Sequence, residues 1–161
     1  MRQLKGIAFF ILTICLSACS FGYEVVIVNK SDKPIDVRYK ITEKGQFDEP
    51  MIKTIEEWNE RKGIRRLWSE APPWQPLPES LVETVAGERV IKVQPGCVVR
   101  IEKGIYNPIS EREGDLTDIL ELRIISARGE VSLKGRLLLN QFEKDNYTFI
   151  KTYTDEPSNP N

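Results

Sequence analysis

Alternation of apolar and polar residues is clearest over 35–42, where every second position is apolar. Ile35, Val37, Tyr39 and Ile41 would therefore share one face of a half-buried strand, because successive side chains of a strand point to opposite faces. The run at 23–29 is rich in β-branched residues and predicts another strand. Turn-forming residues lie between the two runs, so we expect them to pair as an antiparallel hairpin.

The same pattern continues through the second half of the chain. Short strands are predicted at 89–93, 97–101, 119–125, 131–134, 136–139 and 146–153. Pro95-Gly96 predicts a second hairpin between the first two of these, and 103–117 is polar and predicts a loop. Seven or eight short strands separated by turn signals are typical of an antiparallel sandwich or barrel. We expect a β-sandwich with one short helix or a Trp/Pro-rich insertion.

The helix is predicted at 49–62. Asp48 is a suitable N-cap, Pro50 suits the first turn, and the apolar residues that follow are spaced by about 3.6. A strand over 51–58 is the alternative, because Thr54 and two isoleucines favour it.

Residues 67–78 combine tryptophan with a cluster of prolines, which excludes a helix and a central strand. Tryptophan is frequent at the energetic centre of protein interfaces, so this segment is a candidate partner-binding surface. In the alternative interpretation, both tryptophans fold back and cap one open end of the core. The candidate binding residues are Trp68, Pro72, Pro73, Trp74 and Pro76.

The chain starts with a basic segment, which contains Arg2 and Lys5, and continues with an apolar run over 6–16. About 11 helical residues span roughly 16 Å, which is too short for a hydrocarbon core of about 30 Å. This arrangement is typical of an export signal. The sequence that follows, Leu16-Ser17-Ala18-Cys19, resembles the lipobox of bacterial lipoprotein precursors. The resemblance implies cleavage before Cys19 and acylation of that residue.

Four segments follow from this resemblance. Residues 1–18 would be a cleaved signal, 19–22 a lipidated cysteine with a short tether, 23–153 one sandwich domain and 154–161 a flexible tail. Three or four extended residues span roughly 10–14 Å, so the domain would lie against the bilayer. Ser20 stands where an aspartate favours inner-membrane retention in such precursors. We therefore expect an outer-membrane anchor and a domain that faces the periplasm.

Charge and cysteine content limit the partners. The chain has 23 basic and 24 acidic residues, of which the signal removes two basic ones, so the mature chain would carry a formal charge of −3. No basic stripe is present, and we expect no binding to nucleic acid.

Cys97 would be the one thiol left unmodified, so no disulfide within the domain is expected. We expect it to be buried in the core, with a reactive thiol as the alternative.

The chain contains no histidine. Serine–histidine and cysteine–histidine catalysis are therefore excluded, and so is a zinc site of the usual type. Four acidic residues lie close together around a glycine, at Glu111, Glu113, Asp115 and Asp118. Their spacing does not match the calcium loop of an EF-hand, so we expect a solvated loop, no metal and no cofactor.

The sequence thus favours a non-enzymatic lipoprotein of the cell envelope. It would be held in the bilayer through acylated Cys19 and would bind or scaffold an envelope protein close to the membrane. An inhibitor or immunity-type lipoprotein that blocks an envelope-attacking enzyme is the alternative. A hydrolase that uses two carboxylates is a remote third possibility.

Overall fold

The computed structural model describes residues 21–43, 45–63, 73–106, 117–135, 138–145 and 148–154. It confirms the mainly β, sandwich-like fold, with eleven strands in two sheets among these residues. The strands are β1 (Phe21–Asn29), β2 (Ile35–Ile41), β3 (Met51–Thr54), β4 (Gln75–Pro76), β5 (Val82–Val85), β6 (Glu88–Val93), β7 (Cys97–Tyr106), β8 (Ile119–Ser126), β9 (Gly129–Lys134), β10 (Glu143–Asp145) and β11 (Thr148–Tyr153). One α-helix, α1 (Ile55–Gly63), follows β3.

The strands form a six-stranded sheet in the order β10-β11-β1-β7-β3-β4 and a five-stranded sheet in the order β5-β6-β2-β8-β9. β1 and β11 run parallel, and every other neighbouring pair is antiparallel. The main hydrophobic core lies between the two sheets. Val25, Val37 and Leu122 are among its fully buried residues.

Two predicted hairpins are wrong. β1 pairs with β7 and β11, whereas β2 lies in the other sheet, between β6 and β8. In the same way, the chain crosses between sheets at Pro95-Gly96, where β6 ends and β7 begins. The turn residues reverse the chain as expected, but each turn carries it across the core. The turn between β8 and β9, in contrast, joins paired strands.

The six-stranded sheet is covered on both faces, which explains the continuous apolar run Val25-Val26-Ile27-Val28 in β1. All four residues are at most 2% exposed. Val25 and Ile27 face the main core, whereas Val26 and Val28 pack against Trp58 of α1 on the other face. A strand that is buried on both faces has no polar side to maintain, so its sequence does not alternate.

The five-stranded sheet has one solvated face instead. The residues of β2 that alternate with the core positions point outward, and the outer face carries ion pairs centred on Arg123 of β8. The Arg123 guanidinium pairs with the carboxylates of Glu88, Glu121 and Glu130. This difference between the sheets accounts for the clean alternation of β2.

The predicted helix at 49–62 begins six residues late. Residues 51–54 form β3 on the edge of β7, and the helix starts after Thr54. The Thr54 hydroxyl accepts a hydrogen bond from the Glu57 backbone N–H at 3.2 Å, and the Glu57 carboxylate accepts one from the Thr54 N–H at 2.9 Å. This reciprocal pair is a capping box, and it makes Thr54 the N-cap in place of Asp48.

Two further predictions of local structure were wrong, and three strands were missed. β7 continues to Tyr106 through residues expected to form a loop. Leu138 and Leu139 lie in a short 3-10 turn, where a strand was predicted. The strands β4, β5 and β10 were not predicted. β4 and β5 lie at sheet edges, and β10 pairs only with β11, so each depends on its neighbour more than on its own sequence.

At one end of the sandwich, Asn29 joins the two crossing turns. Its side-chain amide donates hydrogen bonds to the carbonyls of Lys33 at 2.9 Å and Val93 at 3.0 Å. Its Oδ1 accepts from the backbone N–H of Ser31 at 3.0 Å and from the Ser31 hydroxyl at 2.6 Å. Asn29 is fully buried, and all four of its side-chain hydrogen bonds are made. We refer to this end of the sandwich, where the buried amide is saturated, as the closed end.

Candidate functional site

A β-bulge in β7 creates the polar cluster at the opposite end of the sandwich. Val25 of β1 pairs with Glu102, and the next residue, Val26, pairs with Arg100, so Ile101 is the extra residue. Ile101 faces the main core. Strict alternation would then place Glu102 outside, but the bulge turns its side chain inward, and the residue is only 9% exposed. Bulges are frequent next to functional sites because they redirect side chains in this way.

Three donors hold the buried Glu102 carboxyl. The Tyr23 hydroxyl donates to Oε1 at 2.6 Å, and the Asp118 backbone N–H donates to the same oxygen at 3.2 Å. The Thr117 hydroxyl donates to Oε2 at 2.5 Å. The carboxyl therefore ties together β1, β7 and the segment that leads into β8.

Burial dominates the electrostatics of this cluster. Burial raises the pKa of the Glu102 carboxyl above its ordinary value, against the lowering effect of its hydrogen bonds. Burial and the neighbouring Glu102 carboxyl raise the pKa of Tyr23 far above its usual range. Tyr23 therefore remains protonated and continues to donate its hydrogen bond.

Gly104 provides the space for the Tyr23 ring. The two residues face each other across β1 and β7, and a Cβ on Gly104 would lie 2.2 Å from Cε1 of Tyr23. No other residue type fits this position without displacing the ring. The order Ile101-Glu102-Lys103-Gly104 thus combines a bulge, an inward carboxyl and a gap for an aromatic side chain.

A cavity of about 270 Å³ lies beside this cluster. Its walls come from β1, β2, β7, the start of β8 and the segment before β3. The lining residues that carry its chemistry are Tyr23, Tyr39, Phe47, Asp48, Glu102 and Asp118. The Asp48 carboxylate accepts a hydrogen bond from the Lys103 N–H at 2.7 Å, and the Asp118 carboxylate accepts one from the Thr42 hydroxyl at 3.0 Å. We refer to this space as the Glu102 cavity.

Tyr39 contributes a buried hydroxyl to the Glu102 cavity. The residue is 1% exposed, and its hydroxyl lies beside the Arg89 guanidinium, although no hydrogen bond of good geometry joins the two. Burial raises its pKa to about 12, while the adjacent Arg89 guanidinium has the opposite, smaller effect. The carboxyls of Asp48 and Glu102 also raise the pKa, which indicates that the hydroxyl lies at their end of the core.

The Trp/Pro segment is partly described. Trp68 and Pro72 lie outside the described residues, and Pro73 and Pro76 are exposed. Pro76 lies in β4, at an edge of the six-stranded sheet, where a residue without an N–H is tolerated. The role of the segment in partner binding stays a prediction.

Trp74 is half-buried and packs over α1. Its ring centroid lies 5.9 Å from that of Trp58, and Lys53 and Arg100 place their cationic groups 4.8 and 5.1 Å from its ring. Trp74 therefore folds back, as in the alternative interpretation. It covers the outer face of the six-stranded sheet, however, and not an open end of the main core.

Only some of the other candidate residues belong to the part of the chain that the structure describes. Glu111, Glu113 and Asp115 of the acidic loop and the lipidation candidate Cys19 lie outside the described residues, and only Asp118 reaches the Glu102 cavity. No group of three side chains suited to hold a metal occurs in the described ranges. Cys97 packs against the main core but is half-buried, and not fully buried as predicted; burial raises the pKa of its thiol.

The sequence did not predict Tyr23, Tyr39 and Glu102 as site residues. The one available signal was the break in alternation after Ile101, where a glutamate and a glycine interrupt an apolar strand. That break was interpreted as the end of the strand.

Comparison with protein-family models, curated proteins and solved structures gives no match to this chain. No α-helix within the described ranges is long and apolar enough to cross a membrane.

Proposed function

We propose that this chain is a lipid-anchored binding protein of the bacterial envelope, held at the periplasmic face of the outer membrane through acylated Cys19. It would bind another envelope component close to the bilayer. The proposal rests first on the lipobox-like sequence Leu16-Ser17-Ala18-Cys19 and the signal-like segment before it. Two or more acyl chains on one residue provide stable anchoring, whereas a single chain is marginal.

The observation that carries the proposal is the position of the anchor relative to the Glu102 cavity. Phe21 already lies in β1, so Ser20 alone separates Cys19 from that strand. The start of β1 pairs with the end of β7, and Gly22 faces Ile105. Glu102 and Gly104 lie on the same stretch of β7. The anchor would therefore hold the cavity end of the sandwich towards the membrane.

Ile105 supports the same orientation. Ile105 is 73% exposed, although its side chain is large and apolar. An exposed isoleucine opposite Gly22 would lie near the acyl chains of Cys19, where contact with the bilayer would remove its apolar surface from water. A domain oriented in this way would bind partners at the bilayer surface.

Binding is favoured over catalysis by the way Glu102 is held. Both oxygens of this buried carboxyl already accept hydrogen bonds, from three donors in total. A general acid needs to move its proton to a substrate, and this carboxyl is occupied within the fold. The chain also lacks histidine, the most frequent general base.

The anchor is tested by mass spectrometry of the protein purified from bacterial membranes, with Cys19→Ala as the variant and Cys97→Ala as the matched control. We expect an acylated mature N-terminus at Cys19 in the native chain and in Cys97→Ala. The Cys19→Ala variant should lose both the acyl mass and the membrane association. An unmodified Cys19 in a native chain recovered from the membrane would contradict the anchor.

Partner binding is tested by photo-crosslinking in intact cells. A crosslinker at exposed Lys103 samples the cavity end, and one at exposed Lys33 samples the closed end. We expect one discrete envelope partner from the Lys103 position, lost in Cys19→Ala, and none from Lys33. If that partner is an envelope-attacking enzyme bound one to one, the inhibitor alternative is favoured. Equal products from both positions would contradict a binding surface at the cavity end.

A further inference from the structure

The edge strands of the two sheets differ in how they are protected against further pairing. β4 has two residues, one of them Pro76, β5 has four, and β10 consists of three charged residues. Short length, proline and charge are the usual protection of an edge. β9 has six residues, pairs with β8 without a bulge and exposes all of its residues except Leu133. No strand of the described ranges pairs with its outer side.

The backbone groups on this outer side belong to Glu130, Ser132 and Lys134. The Gly135 N–H donates to the Leu120 carbonyl at 3.3 Å and continues the ladder between β9 and β8. Hydrogen-bonded pairs alternate along an antiparallel ladder, so every second residue before Gly135 bonds to β8. The residues between them point their N–H and C=O groups away from β8.

The side chains of β9 are complementary to those of a second, antiparallel β9. Glu130 and Lys134 lie on the solvated face, two residues to either side of Ser132, and Val131 and Leu133 lie on the core face. If Ser132 faces Ser132 of a second copy, Glu130 faces Lys134 of that copy, and Val131 faces its Leu133. Each pair occurs twice, because a two-fold axis relates the copies. Opposite charges and apolar residues directly across a ladder stabilise the pairing.

The backbone favours the same register. It brings all three outward-pointing residues into hydrogen-bonded pairs, so about six backbone hydrogen bonds would join the two copies. A shift by two residues in either direction loses one of the three pairs and places a charged side chain opposite Ser132. Side chains and backbone therefore select one alignment.

Val131 provides a separate observation at this edge. It belongs to the core-facing series and lies opposite the buried Ile124, yet it is 40% exposed. Its neighbour on the same face, Leu133, is only 4% exposed. A second copy would place its Leu133 beside Val131 and remove this apolar surface from water.

We propose that β9 is a self-association edge, at which two copies of this chain pair antiparallel about Ser132 and join their five-stranded sheets. Lys134 already pairs with the Glu121 carboxylate at 2.8 Å. In the dimer, the row of alternating charge continues from Glu121 through Lys134 to Glu130 of the second copy. A second copy is favoured over an unrelated strand because β9 itself carries both members of each pair.

The two-fold axis sets the arrangement of the dimer on a membrane. The axis is perpendicular to the sheet and reverses the strand direction, so the two cavity ends point away from each other. If Cys19 is acylated, both anchors reach one bilayer when the strands run along its surface. The pairing of the β9 strands does not itself require lipidation.

Disulfide crosslinking in intact bacterial cells tests the contact. Ser132→Cys places two thiols at a hydrogen-bonded pair, whose Cα atoms lie about 5.5 Å apart, within the range of disulfides. We expect mild oxidation to convert this variant to a covalent dimer. Glu83→Cys on the opposite edge strand, β5, is the matched control, since Glu83 is also exposed. It should stay monomeric, and so should the native chain with Cys97.

A mixed pair of variants tests the register. Glu130→Cys and Lys134→Cys, produced together in one cell with different tags, should form a mixed dimer. Either variant alone should form none, because Glu130 lies opposite Lys134 of the second copy and about 13 Å from Glu130 of that copy.

Charge reversal tests the complementarity. The dimer constant is measured by analytical ultracentrifugation of the full chain with Cys19→Ala in a nonionic detergent, which removes association through acyl chains. Glu130→Lys or Lys134→Glu alone should weaken the dimer about tenfold, and the double exchange should restore it. The double exchange places like charges beside Arg123 and Glu121 within each chain, so the recovery would come from contact between copies.

A Ser132→Cys dimer together with recovery in the double exchange supports the proposal. The proposal is wrong if Ser132→Cys stays monomeric, if Glu83→Cys crosslinks equally well, or if the single reversals leave the dimer constant unchanged. A Ser132→Cys product that contains a different protein also overturns it and assigns the edge to a strand of that protein. Circular dichroism checks the fold of each variant; should a reversal variant not fold, the crosslinks decide.

Discussion

The two ends of the sandwich each bury a polar side chain, and they differ in what surrounds it. At the closed end, the neutral amide of Asn29 makes four hydrogen bonds and joins both crossing turns. At the other end, burial raises the pKa of the Glu102 carboxyl, and a cavity of about 270 Å³ lined by further polar side chains lies beside it. A neutral, saturated amide serves the fold alone, whereas a cavity beside a titratable group leaves room for an occupant.

The largest effect that separates the two ends is expected from Asn29→Ala. The substitution takes this partner from the Ser31 N–H and the Val93 carbonyl, and it removes one of two donors to the Lys33 carbonyl, which keeps the Ser31 hydroxyl. At about 1 kcal/mol for each buried group, the free energy of unfolding should fall by about 3 kcal/mol. Urea denaturation measures this change. Asn140→Ala at an exposed position is the control and should stay within about 0.5 kcal/mol; an equally small change in Asn29→Ala would contradict its role.

The next largest effect is expected at the cavity end, from Gly104→Ala. The new Cβ would displace the Tyr23 ring from its place 2.2 Å away, and the Tyr23–Glu102 hydrogen bond would be strained. Overpacking of this kind lowers stability by about 2 kcal/mol. Gly22→Ala on the facing strand is a matched control, because the nearest atom to its Cβ would be 3.9 Å away. Similar losses from both substitutions in urea denaturation would show that the close approach to Tyr23 does not matter.

The pH dependence of stability should distinguish the charged end from the neutral one. The pKa of Glu102 is raised above its ordinary value of 4.5, so the folded state holds this proton more tightly than the unfolded state does. Below that value both states are protonated and the contribution of Glu102 is most favourable. As the pH rises, the Glu102 carboxyl ionises first in the unfolded state. The free energy of unfolding therefore falls until the pH also passes the folded-state pKa.

Urea denaturation between about pH 4 and pH 8 checks this linkage with the Glu102→Gln variant. The native chain should lose stability relative to Glu102→Gln as the pH rises. The difference between the native chain and Asn29→Ala should stay constant over the same range, because an amide does not titrate. A pH-independent difference for Glu102→Gln would show that burial does not control this carboxyl.

The smallest effect is expected from Tyr39→Phe. Its hydroxyl lies beside the Arg89 guanidinium without a hydrogen bond of good geometry, so its removal should change stability by less than about 1 kcal/mol. Tyr23→Phe removes a hydroxyl that donates to Glu102, and it should lower stability by about 1–2 kcal/mol. Thermal denaturation of the two variants gives the comparison. A larger loss in Tyr39→Phe than in Tyr23→Phe would show that the Tyr39 hydroxyl makes the stronger hydrogen bond.

The sequence predicted the individual strands better than their arrangement. The alternation of β2 correctly placed Ile35, Val37 and Tyr39 in the core, because period two follows directly from strand geometry. Turn residues indicate where a chain reverses, but not whether it stays in the same sheet. The hairpins at 30–34 and 94–96 were therefore wrong, since sheet membership depends on contacts distant in sequence.

The site was harder to predict than the fold. Glu102 faces inward only because a bulge at Ile101 shifts the register, and the bulge forms against a partner strand distant in sequence. The capping box of Thr54 and Glu57, in contrast, is local, and the sequence contained its full signal. Non-local register thus accounts for the missed site, and an overlooked local motif accounts for the misplaced helix start.

The most direct test of the difference between the two ends is an NMR pH titration of the ¹⁵N-labelled full chain, followed through its backbone amides. We predict that the Asp118 amide, which donates to Glu102, shifts with a midpoint above the ordinary carboxyl pKa of 4.5, and that the Gly96 amide of the closed end does not. A midpoint at or below 4.5 for the Asp118 amide, or shifts of equal size at both ends, would contradict the account.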